Sequence, residues 1–173
     1  KILLKKRKER IKPFFDNKVQ TDLNCYWLYS NLYSSLVLDD ENLYINTVNS
    51  IELLKEKLKK NIFHCYDKDK AEIDVFLEDY VYYSLLLISL YEINNDKVSL
   101  EICKKTMSET WNFFFNSENN LLQKNIIKKN DLFVNPVDIA DNNIPNGNSI
   151  YLFVCNKLFN ITNNKSWYEK TYR

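Results

Sequence analysis

The stretch Tyr80-Val81-Tyr82-Tyr83-Ser84-Leu85-Leu86-Leu87-Ile88-Ser89-Leu90-Tyr91-Glu92-Ile93 decides the fold. Wound as a helix it is apolar almost all round, and such a helix is buried on every side. Its apolar run, interrupted by Ser84 and Ser89, falls well short of the ~20 residues that span a bilayer. Other helices must therefore bury it. A polar turn follows, Asn94-Asn95-Asp96-Lys97, and then a one-sided amphipathic pattern from Lys97 to Phe115. An inner helix without a wet face, followed by an outer helix with one, is the pattern of hairpins in two concentric layers.

The same unit recurs on either side. Upstream, an inner helix from Leu23 to Leu38 presents Tyr26, Leu28, Tyr29, Leu32, Tyr33 and Leu36. The turn Asp39-Asp40-Glu41-Asn42 leads into an outer helix, Leu43 to Lys60. That helix carries Leu43, Ile45, Val48, Ile51, Leu54 and Leu58 on one stripe, with Glu52, Lys55, Glu56 and Lys59 outside. Downstream, Ser149 to Asn160 is a third inner helix, followed by the turn Thr162-Asn163-Asn164-Lys165 and the start of an outer helix. The period of ~55–70 residues exceeds that of common helical repeats, so each hairpin carries a long extra loop. The fold class is therefore all-α: an (α/α) toroid or barrel fragment, with residues 1–173 forming a partial domain of about two and a half hairpins. The chain opens at Lys1 in what reads as the tail of a helix and closes at Arg173 inside an outer helix, and is expected to be a piece of a longer protein. Alone, such a piece is expected to expose inner-helix faces and to be poorly soluble.

Composition narrows the function classes. One Gly and three Pro, with 45% hydrophobic and 14% aromatic residues, argue for a packed core rather than disorder. Net charge is +1, so no global field selects nucleic acid or a membrane. The basic run from Lys1 to Lys12 fits either a phosphate-binding arm or a solvated helix C-terminus. Cys25, Cys65, Cys103 and Cys155 include no close pair, so neither a zinc site nor a thiol-redox site is expected. Cys103 and Cys155 read as small core residues. The absence of a disulfide framework agrees with a reducing compartment, and no signal peptide is visible, so the expected location is cytoplasmic. No cofactor is implied.

The openings of stacked hairpins gather at one end, and the loops there are the natural carriers of function. Ile62-Phe63-His64-Cys65-Tyr66 with Asp67-Lys68-Asp69-Lys70 reads as a strand and turn. Residues 121–134 read as two short strands around Lys128-Lys129-Asn130-Asp131. Pro145-Asn146-Gly147-Asn148-Ser149 is the clearest loop: Pro stiffens its start, Gly147 permits positive φ, and Asn148 or Ser149 caps the helix that follows.

Several motifs, in order, cover nearly the whole chain. They are Arg7-Lys8-Glu9-Arg10-Ile11-Lys12-Pro13, Asp16-Asn17-Lys18-Val19-Gln20-Thr21 with Asn24, and His64 followed by Phe76-Leu77-Glu78-Asp79-Tyr80 and Leu90-Tyr91-Glu92. The last is Asp138 and Asp141 with Pro145-Asn146-Gly147-Asn148-Ser149. Together they resemble the pattern of a widespread family of thioredoxin-domain-containing proteins whose animal members are called spermatogenesis-associated. The chain departs from it at Leu23-Asn24-Cys25, where the family has Trp-Asn-Gly, and at Val75-Phe76-Leu77, where it has Gly-Phe-Leu. The resemblance implies a C-terminal helical toroid similar to six-hairpin glycosidases and sugar 2-epimerases. It also implies a thioredoxin-like domain in the same polypeptide, as a packing partner outside this chain.

A toroid of that kind implies a carbohydrate ligand, with carboxylates for acid–base work. Asp79 is either a general acid raised by burial or a carboxylate capping its helix. His64, the one histidine, is either a proton shuttle or a polar loop residue. With no second histidine, a two-base epimerase mechanism does not assemble from this chain. Asp138 and Asp141 form either a carboxylate pair or turn caps. Asp16, Asn24, Tyr80, Asn148 and Ser149 complete the expected substrate-binding set. The alternative is a non-catalytic helical scaffold or interaction module.

Overall fold

The computed structural model describes residues 2–13, 18–67, 70–73, 75–126 and 135–172. Among them the chain forms α1 (Ile2–Lys8), β1 (Val19–Gln20), α2 (Thr21–Val37), α3 (Glu41–Leu58), β2 (Cys65–Asp67), β3 (Lys70–Ile73) and α4 (Leu77–Asn94). These are followed by α5 (Lys97–Phe114), β4 (Phe115–Asn116), β5 (Leu121–Leu122), α6 (Gly147–Thr162) and α7 (Lys165–Glu169).

The helix read as fully apolar is the centre of the molecule. Every residue of α4 from Asp79 to Leu90 is buried. Helix α2 packs on one side of it and α6 on another, which makes these three the inner layer. Helices α3, α5 and α7 pack outside them, each mainly on its own hairpin partner. The flanking helices bury a single stripe: α2 hides Thr21, Cys25, Leu28, Leu32 and Ser35, and α3 hides Thr47, Ile51, Leu54 and Leu58. Those spacings of three and four residues keep one face inward. All four cysteines are buried.

The polar turns between hairpin helices have a backbone reason. Asp39, Asn95 and Asn163 take left-handed φ of 51°, 60° and 51° just past the inner helices, where Asn and Asp are the non-glycine residues best suited. Asp40, Asp96 and Asn164 then cap the outer helices, their side chains accepting the N–H of Leu43 (2.9 Å), Val98 (3.0 Å) and Ser166 (3.0 Å).

At the opposite end the connections are longer. Strands β1, β2 and β3 form a small antiparallel sheet, and β4 pairs with β5. Thr21 fastens the first sheet to α2: its N–H donates to the His64 carbonyl at 2.8 Å and its hydroxyl to the Phe63 carbonyl at 2.6 Å. The second ribbon differs from its sequence reading. Leu121–Leu122 pairs backward with Phe115–Asn116 at the end of α5. Residues 128–131, expected as its turn, lie outside the described residues, as do Lys68 and Asp69 of the first. Helix α6 is capped by Asn146, whose side chain accepts the Ser149 N–H at 3.0 Å, and not by Asn148 or Ser149. No helix among the described residues is long and apolar enough to cross a membrane.

Candidate functional site

Where α2, α4 and α6 begin, a cleft of about 280 Å³ opens, lined by Asp22, His64, Phe76, Glu78, Lys124, Asp138 and Asn146 among others. Three features of the chain build it. Thr21 anchors the His64 backbone to α2, which swings the imidazole over the start of α4. Asp79 sits one turn into α4, where its carboxylate reaches back to accept the Phe76 N–H at 2.8 Å. Gly147 lets α6 start directly against α4, because a Cβ there would lie 2.7 Å from Leu77. That close approach, not positive φ, is what requires glycine here: no glycine has positive φ. The Tyr82 hydroxyl donates to the Pro145 carbonyl at 2.5 Å and ties the same loop to the middle of α4.

Asp79 is fully buried and is the hub of the polar network. One oxygen accepts the Asp22 N–H at 3.2 Å, the other the Phe76 N–H, and both lie within 3.2 Å of His64 Nδ1. Burial pushes its carboxyl up to about 6, against the opposing pull of the Phe76 N–H and the His64 ring. The His64 ring packs edge-on against Phe76 at 4.7 Å, and its Nε2 lies 3.5 Å from the Gln20 amide nitrogen. Asp79 thus orients the imidazole through Nδ1, while Nε2 faces the Gln20 amide. Asp22, His64 and Asp79 also bring ligand atoms within 4.8 Å of one another, a set of the size a metal ion needs. Both Asp79 oxygens already accept hydrogen bonds, so an ion there would have to displace the Asp–His contact.

Glu78 differs from Asp79. It is partly buried, one carboxyl oxygen has no hydrogen-bond partner, and burial raises its carboxyl above the usual range while Lys124 draws it back. It projects into the cleft.

The remaining expected residues separate. Asp138 lies 3.5 Å from Lys124 and lines the cleft, while Asp141 accepts the Asn146 N–H at 2.9 Å and its side-chain amide at 2.7 Å. Each takes a different partner. The Asn148 side chain accepts the Leu122 N–H and donates to the carbonyls of Leu122 and Asp138, stitching the loops together. Ser149 is exposed and holds its hydroxyl 2.9 Å from the Asn146 amide. The Asn24 amide donates to the Gln20 carbonyl at 2.7 Å, and Asn24 borders a separate depression with Trp27. Tyr80 faces away, toward Phe113 and Phe114. Asp16 lies outside the described residues. Asp22 and Lys124 line the cleft but were not singled out by sequence. The only signal for Asp22 was an acid in the first turn of an inner helix, the place Asp79 holds in α4.

No family model matches the chain, and no curated protein matches it. The resemblance to thioredoxin-domain-containing proteins therefore finds no support in these comparisons. Solved structures do match. A GH76 α-1,6-mannanase from Salegentibacter sp. superposes with a TM-score of 0.66 at 18% identity, over 98% of this chain and 49% of that one. An inactive variant of the same enzyme with two aspartates replaced, in complex with α-1,6-mannotriose, gives 0.66 at 17% identity over 88% and 45%. A GH76 α-mannanase from Bacteroides thetaiotaomicron gives 0.64 at 13% over 91% and 41%. The fold is that of a helical toroid. The chain spans about half the length of these structures or less.

Proposed function

We propose that the chain is part of a carbohydrate-processing helical toroid, and that the cleft at the start of α4 is its reaction site. The observation that carries this is Glu78: a carboxyl with raised proton affinity and a buried, unpartnered oxygen, opening on a cleft that also holds Asp22 and Asp138. A carboxyl of raised proton affinity set beside other carboxyls is the arrangement that glycoside cleavage uses. Glu78 donates a proton to the departing glycosidic oxygen. Asp22 or Asp138 supplies the opposing carboxylate, for a water or for the sugar carbon. Asp79 is a positioning residue that reaches the cleft through His64. The mannanase rendered inactive by replacing two neighbouring aspartates supports the reading, because Glu78 and Asp79 are neighbouring acids at the start of an inner helix. Further hairpins, which would close the arc, and a thioredoxin-like domain in the same polypeptide complete the proposal.

The test is hydrolysis of α-linked mannooligosaccharides and other glycosides by the longest natural polypeptide carrying this segment. Glu78→Gln is expected to lower turnover by ~10²–10⁴, the range of general-acid catalysis, while leaving the fold intact. Unaltered turnover in that variant would remove the proposal. A second reading, a non-catalytic interaction module, draws on the exposed apolar residues of α2, where Trp27 is 59% exposed beside Leu23. Sugar binding without any turnover in the wild type would favour it.

A further inference from the structure

Among the described residues, Lys124 is the only lysine or arginine lining the cleft at the helix openings, against the carboxyls of Asp22, Glu78 and Asp138. It stands on the irregular connection after β5, yet its backbone is fixed on both sides. The Lys124 carbonyl accepts the Leu77 N–H at 2.9 Å, at the start of α4, and the Lys124 N–H donates to the Pro136 carbonyl at 2.9 Å. Asn135 closes around the same residues. Its amide donates to the Gln123 side chain at 2.8 Å and to the Asn125 carbonyl at 3.2 Å, while its oxygen accepts the Asn125 N–H at 3.3 Å. The Asn148 amide then bridges the carbonyls of Leu122 and Asp138, at 3.0 and 3.1 Å. The segment that carries Lys124 and the segment that carries Asp138 are thereby held side by side.

The ammonium of Lys124 lies 3.5 Å from an Asp138 oxygen and 6.0 Å from the centre of the Phe76 ring. The two side chains of that ion pair are 40% and 52% exposed, and a pair so exposed adds little to stability. Stability is therefore not what the clamp secures; position is. Glu78 meets Lys124, Asp138 from the connection into α6, and Asp22 from α2. Burial raises its carboxyl, Lys124 draws it down, and the two acids push it up. An acid catalyst must hold its proton until the leaving oxygen takes it, and the carboxylate opposite must not compete for that proton. A cation paired with Asp138, while Glu78 Oε2 has no partner, makes the two carboxyls unequal.

We infer that Lys124 is a positioning residue: clamped by Asn135 and Asn148, it pairs with Asp138 and presents a fixed positive charge to Glu78, which divides acid from base across the cleft. As part of a reaction this rests on the glycoside-cleaving reading above, but the division of charge is measurable without a substrate. The experiment is carbon-13 NMR of the side-chain carboxyls through a pH titration of the intact chain. Lys124→Met should move the Glu78 titration to higher pH, Asp138→Asn should move it to lower pH, and Lys124→Arg should leave it in place. Asn135→Ala, which loosens the connection without removing a charge, should move Glu78 in the same direction as Lys124→Met. A Glu78 titration that ignores Lys124→Met overturns the proposal, and so does one that follows Lys124→Met but ignores Asn135→Ala. In a polypeptide that cleaves glycosides, Lys124→Met should also lower turnover by up to about a hundredfold, the scale of misplacing a reacting group. The alkaline limb of its pH profile should move upward, and Lys124→Arg should restore both. Turnover lost equally in the Met and Arg variants, with the limb unmoved, would mark a merely structural lysine. If no glycoside is cleaved, the reaction reading falls while the titration still decides the role of Lys124.

Discussion

Glu78, Asp79 and Tyr80 are consecutive, yet they serve three different places. Successive residues of a helix are turned by ~100°, so one side chain enters the cleft, the next points into the core and the third faces Phe113 and Phe114 of α5. The motif was visible in the sequence. Its division was not, because the direction of each side chain depends on how α4 is rotated against α2 and α6. The pairing of His64 with Asp79 was equally hidden, since it needs the Thr21 anchor forty-three residues upstream of His64. Asp79 carries a pH signature. Its folded carboxyl titrates near 6 and an unfolded one near ~4. The folded state therefore binds this proton more tightly, and the benefit is greatest at low pH and lost as pH rises through ~4 to 6. Stability curves of wild type and Asp79→Asn should differ by an amount that shrinks over that window by on the order of 2–3 kcal/mol. Urea melts at stepped pH measure it, and a constant difference would show that Asp79 is not raised. Gly147→Ala should cost ~1–3 kcal/mol by overpacking against Leu77, read as a lower melting temperature.

At the scale of elements, periodicity located five of the helices within a few residues, because each buries a stripe or, for α4, its whole circumference. The ribbons were less legible. Two-residue strands such as β4 and β5 carry no period of their own, and their pairing follows from where α5 ends. The caps can be tested singly. Asp96 accepts from Val98 and Ser99 at the start of α5 and from Lys55 of α3. Burial works to raise its carboxyl, and the Ser99 and Lys55 hydrogen bonds overcome that and hold it below the usual range. Its contribution has the opposite sign to that of Asp79: present above the unfolded carboxylate pKa and lost as pH falls through the folded one. Asp96→Ala should lower stability by ~1–2 kcal/mol at neutral pH, with a smaller penalty in acid. Asn95→Gly should be neutral or slightly stabilising and Asn95→Ala destabilising by ~1 kcal/mol, because the position is left-handed. Calorimetric melts of the pair give the sign.

Across the whole molecule the two ends of the arc are unlike. The end of the hairpin turns is closed by a left-handed residue and a cap at each turn, with no slack between helices. The other end holds the long connections, whose geometry is fixed by side chains such as Asn146 and Asn148 rather than by helix hydrogen bonds. Mutational tolerance is therefore polarised along the axis. A short Gly-Ser insertion between Asn95 and Asp96 would separate cap from helix, whereas the same insertion near Asn142 adds length to an exposed connection. Over evolutionary time, descendants of this chain can exchange what they recognise by lengthening or recasting the loops at one pole, while the opposite pole, with no residue to spare, preserves the scaffold that every such variant inherits.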